Sequence, residues 1–280
     1  MTSLALDQVL RKINNLPSLP AVVMELLASI EQEDVNLDTL AHGIAQDQAL
    51  AAKTLRVANS SFYGMAHQIT TINEAIAVLG FRAVRSLATT AALVSTFDSH
   101  KPGQIDFAPF WRHSVATAVC ARELAKHLQL NTEHAYTTGL LHDIGRLVLA
   151  TQFQIAYQDV MAYRTLHDCT LLQAERAVLN IDHAVVGHAM TGHWKFPQEM
   201  QQAIANHHSP ELAPSQTLPR VIQVADALAH ALDLSRDEDD LVPEVSPATW
   251  QLLELDDATL LAVMADAERQ FEGASLVLAI

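Results

Sequence analysis

Apolar residues recur along this chain at intervals of three and four, the spacing that lines one face of an α-helix. Ala21-Val22-Val23-Met24-Glu25-Leu26-Leu27 opens such a run directly after Pro20, where a proline suits the first turn. Asn36 stands where the next helix needs a cap, its side-chain oxygen able to accept from a free backbone N–H. Thr71-Ile72-Asn73-Glu74 reads as a capping box, in which hydroxyl and carboxylate each satisfy a backbone donor; Thr170-Leu171-Leu172-Gln173 repeats the device. Ser246-Pro247 joins a cap to a proline at the first helical position. Phe110-Trp111-Arg112-His113-Ser114-Val115-Ala116 starts a longer helix, expected to run to Leu130. No stretch alternates apolar and polar residues as a half-buried strand would, and no segment repeats. The pattern predicts an all-α fold.

Two breaks divide the pattern. Asp98-Ser99-His100-Lys101-Pro102-Gly103-Gln104 interrupts the apolar period with polar and helix-breaking residues. Residues 236–245 form a second, acidic break containing a proline. The expected organisation is a helical half over 1–98, a histidine-rich helical half over 99–235 and an acidic helical extension over 236–280. In the first half, Arg56, Asn59, Ser60 and Tyr63 cluster at a helix end. They read as a C-terminus wrapped by hydrogen bonds, with a regulatory surface as the alternative.

Composition narrows the classes. Of 280 residues, 50% are hydrophobic but only 5% aromatic, so the core must be built from Leu, Ala, Val and Ile. The net charge of −15 argues against nucleic acid as a partner, because binding phosphates takes clustered Lys and Arg. The excess is uneven: from Ala231 onward twelve acidic residues face only Arg236 and Arg269. That tail reads as a solvated face, with a docking site for a basic partner as the alternative. Cys120 and Cys169 fit neither a disulfide framework nor a zinc ribbon. The start of the chain lacks a signal-peptide pattern, and Ser86 to Phe97 is too short for a membrane span. A cytoplasmic protein with no membrane partner is expected.

The chemistry concentrates in the second half. Eleven of fourteen histidines lie between His113 and His230. His113, the pair His142-Asp143, His183, the pair His207-His208 and Asp226 are imidazoles and carboxylates, the ligands that divalent transition metals favour, in sufficient number for one or two ions. Adjacent residues of a helix point ~100° apart, so His142 and Asp143 can both reach a metal beside it. An acid within an apolar run, as at Asp143 or Asp226, otherwise needs a buried partner. His167 is an alternative ligand. The residue types do not separate Fe, Mn, Ni, Co and Zn.

A histidine, a His-Asp pair and a distant aspartate in helical context resemble the HD superfamily of metal-dependent phosphohydrolases. More narrowly, the chain resembles the HDOD domain, an HD-related output domain of bacterial signalling proteins, over Ile13 to Asp233. Leu16-Pro17-Ser18-Leu19-Pro20, then Leu55-Arg56-Val57-Ala58-Asn59-Ser60-Ser61-Phe62-Tyr63-Gly64, then Ile72-Asn73-Glu74-Ala75-Ile76-Ala77-Val78-Leu79-Gly80 follow in that domain's order. The resemblance implies an N-terminal helical subdomain packed on an HD-like bundle. It implies that His113, His142, Asp143 and Asp226 hold one metal, with Asp143 bridging to a second held by His183, His207 and His208. It implies signalling through a protein partner. The alternative is hydrolysis of a nucleotide or other phosphate ester, with Asp143 and Arg146 as its catalytic residues.

Three positions depart from the related HD-GYP phosphodiesterases. Pro109 stands where an acidic ligand can occur, Arg146 replaces a lysine, and Ser209-Pro210-Glu211-Leu212 stands in place of a Gly-Tyr-Pro loop. The last departure implies that cyclic di-GMP is not the substrate.

Overall fold

A computed structural model describes residues 4–14, 19–30, 36–60, 62–65, 67–97, 107–236 and 241–278. Among them every regular element is a helix. The first stretch contains α1 (Leu6–Asn14), α2 (Ala21–Ala28), α3 (Leu37–Gln46), α4 (Gln48–Ala58), α5 (Ile72–Leu79) and α6 (Phe81–Phe97). The histidine-rich stretch follows with α7 (Ala108–His127), α8 (Thr132–Leu141), α9 (Ile144–Gln152), α10 (Gln154–His167), α11 (Leu171–Leu179), α12 (His183–His193), α13 (Gln198–Asn206) and α14 (Leu218–Ala231). The tail adds α15 (Pro247–Leu253), α16 (Asp257–Ala274) and a closing 3-10 turn at Ser275–Leu278.

Most of the expected start signals operate. Asn36 accepts from Thr39 N–H at 3.1 Å, Ser246 from Thr249 N–H at 3.1 Å, and Thr170 with Gln173 completes both halves of its capping box. At α5 only half of the box forms. Thr71 accepts from Glu74 N–H, while the Glu74 carboxylate reaches back one residue further to Thr70 N–H at 2.8 Å. The long helix α7 ends at His127, just before Gln129, which adopts a left-handed backbone with φ 56°.

The apolar faces interlock as their period demands. Helix α7 is the hub, packing on α8, α14 and α16, while α12 lies against α9 and α13. Within the first stretch α6 packs on α2, α4 and α5, and it also meets α8. A buried polar seam ties the stretches: Arg85 donates to Glu133 at 2.8 Å and to the Ser29 carbonyl at 3.2 Å. Thr90 and Tyr136 share a hydrogen bond of 3.1 Å nearby. Helix α1 lies on α12, with Leu4 N–H donating to the Leu179 carbonyl at 2.9 Å.

Within the polar cluster Asn59 takes the expected structural part. Its amide donates to the Leu55 and Ile69 carbonyls at 2.9 and 2.7 Å, and its carbonyl accepts from Ile69 N–H at 2.7 Å. The acidic extension is likewise more than a solvated face. Helix α16 buries Val263, Ala267, Phe271 and Ala274, and Arg112 clasps it with its guanidinium 5.2 Å over Phe271 while donating to the Leu234 and Ser235 carbonyls. The expected break at 98–104 lies outside the described residues, as does part of the break at 236–245. No helix among the described residues is long and apolar enough to cross a membrane.

Candidate metal centre

The cluster forms where helix ends converge. His113 projects from α7. His142 caps the end of α8 and Asp143 precedes α9, so the pair occupies a junction and not the surface of one continuous helix. Asp143 takes φ −100° and ψ 9°, the bridge conformation that recurs in turns and active sites. The turn, in place of the expected helical step, aims the two side chains. His183 opens α12, whose cap Asp182 accepts from Val185 N–H at 3.0 Å. His207 and His208 follow the last turn of α13, and Asp226 lies within α14.

Close backbone approach makes the convergence possible. A Cβ on Gly145 would collide with the His183 carbonyl oxygen and come within 2.7 Å of Gly187 N. Only glycine lets α9 meet α12 at this distance, and that contact brings Asp143 to His183.

All seven expected residues come together. Asp143 Oδ1 lies 3.1 Å from His183 Nε2, 3.6 Å from His142 Nε2 and 3.7 Å from His207 Nε2. Asp226 Oδ1 lies 3.0 Å from His113 Nε2 and 3.6 Å from His142 Nε2. His208 Nε2 is 2.7 Å from His183 Nε2. The ligand atoms of Asp143, His183, His207 and His208 fall within 4.8 Å of one another, as do those of His113, His142 and Asp143. Asp143 thus belongs to both groups. The alternative ligand His167 is exposed on α10, its ring 4.0 Å from that of Tyr163.

Two further residues join them. His230, one turn after Asp226, places Nε2 3.3 Å from Asp226 Oδ1 and groups with His113 and Asp226. Its i,i+4 spacing from Asp226 was available in the sequence. Glu175, fully buried on α11, accepts from His183 Nδ1 at 2.6 Å and from His183 N–H at 2.9 Å. Nothing in its spacing signals that contact.

The donor set fits a divalent transition metal, and hydrogen bonding supplies the test. His142 Nδ1 donates to the Gly139 carbonyl and His207 Nδ1 to the Ile204 carbonyl, both at 2.7 Å, while His183 Nδ1 donates to Glu175. With a proton assigned to each Nδ1 by those partners, each Nε2 is left to the cluster, as a lone pair where the ring is neutral and as a second N–H donor where it is charged. His207 stays neutral, so its Nε2 lone pair faces Asp143 Oδ1, itself an acceptor, at 3.7 Å. Acceptors turned on an acceptor in a buried, weakly screening interior are unfavourable unless a cation lies among them. His207 Nε2, fully buried, has no hydrogen-bond partner.

Charge follows the same logic. Burial works against ionisation of Asp143, yet His142, His183 and Arg146 hold its carboxyl well below the usual range. Burial opposes ionisation of Asp226 as well, and hydrogen bonds from His113, His142 and His230 overcome it. His183 is the imidazole most inclined to hold positive charge: burial disfavours it, but Glu175 and Asp143 raise its pKa well above normal. Burial and neighbouring imidazoles push His207 down to about 4 and His208 well down, so both stay neutral and free to ligate near pH 7. Arg146 donates to Asp143 Oδ2 at 2.8 Å, which leaves Oδ1 for the cluster.

An all-helical bundle enclosing a buried group of imidazoles and carboxylates that could hold a divalent metal is the arrangement of an HD-type protein. The HDOD domain family matches residues 16–210, and the chain belongs to that family. An uncharacterized protein of Treponema pallidum (strain Nichols) is 29% identical over 229 residues, covering 76% of this chain; the match spans only 42% of that relative's length. An HDOD domain protein of unknown function from Geobacter sulfurreducens is 26% identical, with a TM-score of 0.75 over 94% of this chain and 89% of its own. A Shewanella amazonensis SB2B protein, whose name proposes but does not establish phosphohydrolase activity, is 25% identical with a TM-score of 0.75 over 96% of both chains.

Proposed function

We propose that this chain is a regulatory HDOD protein that carries a divalent transition-metal centre and acts in a cytoplasmic signalling pathway through contacts with a protein partner. The observation that carries the metal reading is the buried Nε2 of His207, without a hydrogen-bond partner and 3.7 Å from Asp143 Oδ1, within a group of four potential ligands. His113, His142, Asp143 and Asp226 would hold one ion, and Asp143, His183, His207 and His208 a second. His230 stands beside the first group, and Glu175 orients His183. An ion held there supplies Lewis acidity and lowers the pKa of coordinated water.

Depth of burial favours a regulatory over a catalytic use. His142, His183 and His207 are at most 3% exposed, and Phe110 packs beneath the Arg146 guanidinium, 5.7 Å away. His208 and Arg146 form the partly open side. A centre enclosed in this way can join α7, α8, α9, α12, α13 and α14 into one unit whose packing depends on the metal.

One observation favours the second reading, a metal-dependent phosphohydrolase acting on a nucleotide or another phosphate ester. Arg146 is both bonded to Asp143 and partly exposed, so it could fix the shared carboxylate while its cationic edge steadies charge on a phosphoryl group. A screen of metal-loaded protein against nucleotides, cyclic nucleotides and simple phosphodiesters separates the two. Occupied sites without turnover support the regulatory reading. Turnover abolished by both His142→Ala and Asp143→Ala establishes the enzyme.

A further inference from the structure

A second cleft lies apart from the histidine cluster, where the N-terminal stretch, the bundle and the acidic extension meet. It encloses about 550 Å³, within the range of small-ligand sites. Tyr63 and Arg82 come from the first stretch, Arg122 and Lys126 from α7, and Gln270 from α16. Leu79, Ala83 and Leu87 give it an apolar wall.

The charge of this cleft opposes that of the whole chain. In a protein of net charge −15, Arg82, Arg122 and Lys126 gather around one opening. Two acids also line it, but both are engaged. Glu133 is held by the buried Arg85 at 2.8 Å, and Glu123 serves Lys126 at 3.5 Å and Arg122 at 3.8 Å. One carboxylate shared by two cations, with Arg82 beside them, leaves the cleft with positive charge in excess. Arg122 is also steadied from behind, its guanidinium 5.0 Å over the Tyr136 ring. Ser86, which also lines the cleft, carries a buried hydroxyl with no hydrogen-bond partner. A buried polar group without a partner often marks a place where a ligand or water completes the bonding.

We propose that this cleft binds a small phosphorylated ligand with a flat ring, of the size and chemistry of a mononucleotide. Guanidinium and ammonium groups match phosphate oxygens. The apolar wall and Tyr63 offer a ring a surface that inorganic phosphate alone would leave unused. The volume likewise exceeds what a lone phosphate needs. Because all three stretches contribute side chains, the bound ligand clamps the extension to the other two and provides an input independent of the metal centre.

Calorimetric titration of the full-length protein with AMP and, separately, with inorganic phosphate tests this, each with and without EDTA. AMP is expected to bind at one equivalent, about tenfold more tightly than phosphate, and to do so with EDTA present. The double variant R82E/K126E, altered only at exposed positions, should weaken AMP binding by at least about tenfold while keeping its metal content. AMP binding that requires metal, survives R82E/K126E, or merely equals that of phosphate would overturn the assignment, as would no binding at millimolar AMP.

Discussion

Glu175 holds His183 twice through one carboxylate oxygen, Oε2, which accepts the ring Nδ1–H at 2.6 Å and the backbone N–H at 2.9 Å. The grip fixes a proton on Nδ1 and the direction of the His183 ring, so that Nε2 faces Asp143 and His208. Partners that orient a ligating histidine in this way typically contribute about 10- to 100-fold to metal affinity. Glu175→Gln should therefore lower zinc affinity by roughly that factor, measured by competition with a chromophoric chelator. Unchanged affinity would remove Glu175 from the site.

Gly145 governs how closely α9 approaches α12. A methyl group there meets the His183 carbonyl, a backbone atom that cannot swing aside. Gly145→Ala should cost about 1–3 kcal/mol of stability, as overpacking does, and should reduce bound metal by separating Asp143 from His183. Calorimetry together with metal analysis checks both. A stable variant with full metal content would contradict the packing described.

Asn59 makes three hydrogen bonds, two joining the end of α4 to Ile69 and one returning to the Leu55 carbonyl, and none of them touches the histidine cluster. Asn59→Ala should destabilise the protein by about 2 kcal/mol in denaturant unfolding, because backbone groups lose their partners. Metal stoichiometry should remain that of the parent protein. A stability loss near zero would show that water replaces the amide.

Asp256 caps α16, accepting from Thr259 N–H at 2.7 Å. Hydrogen bonds from Thr259 lower its pKa below the ordinary aspartate value. A carboxyl depressed in the folded state stabilises above its unfolded pKa, about 3.9, and loses that contribution as pH falls through the folded value. Asp256→Ala should therefore lower the thermal midpoint at pH 6 and lower it less at pH 3. A difference that grows on acidification would reverse the sign and refute the argument.

The helical character was legible because local signals and tertiary packing agree, as at Asn36, Thr170 and Ser246. The pair His142-Asp143 was legible as chemistry but not as geometry. Sequence presents the two as neighbours on one helix, whereas together they form the turn between α8 and α9, and so short a break leaves no periodic trace. Glu74 shows the same limit on a smaller scale, its carboxylate satisfying Thr70 in place of the cap residue itself. His230 was marked by its spacing from Asp226, in a stretch where several other histidines obscured it. Glu175 was not legible at all. A buried acid on an amphipathic helix has the same pattern as an exposed one until the fold places His183 over it.

Metal content of the purified, reloaded protein tests the central claim most directly. Mass spectrometry of the parent chain should find one or two divalent transition-metal ions per chain, and His142→Ala should bind fewer. No metal after loading, or a stoichiometry unchanged in His142→Ala, would contradict the account.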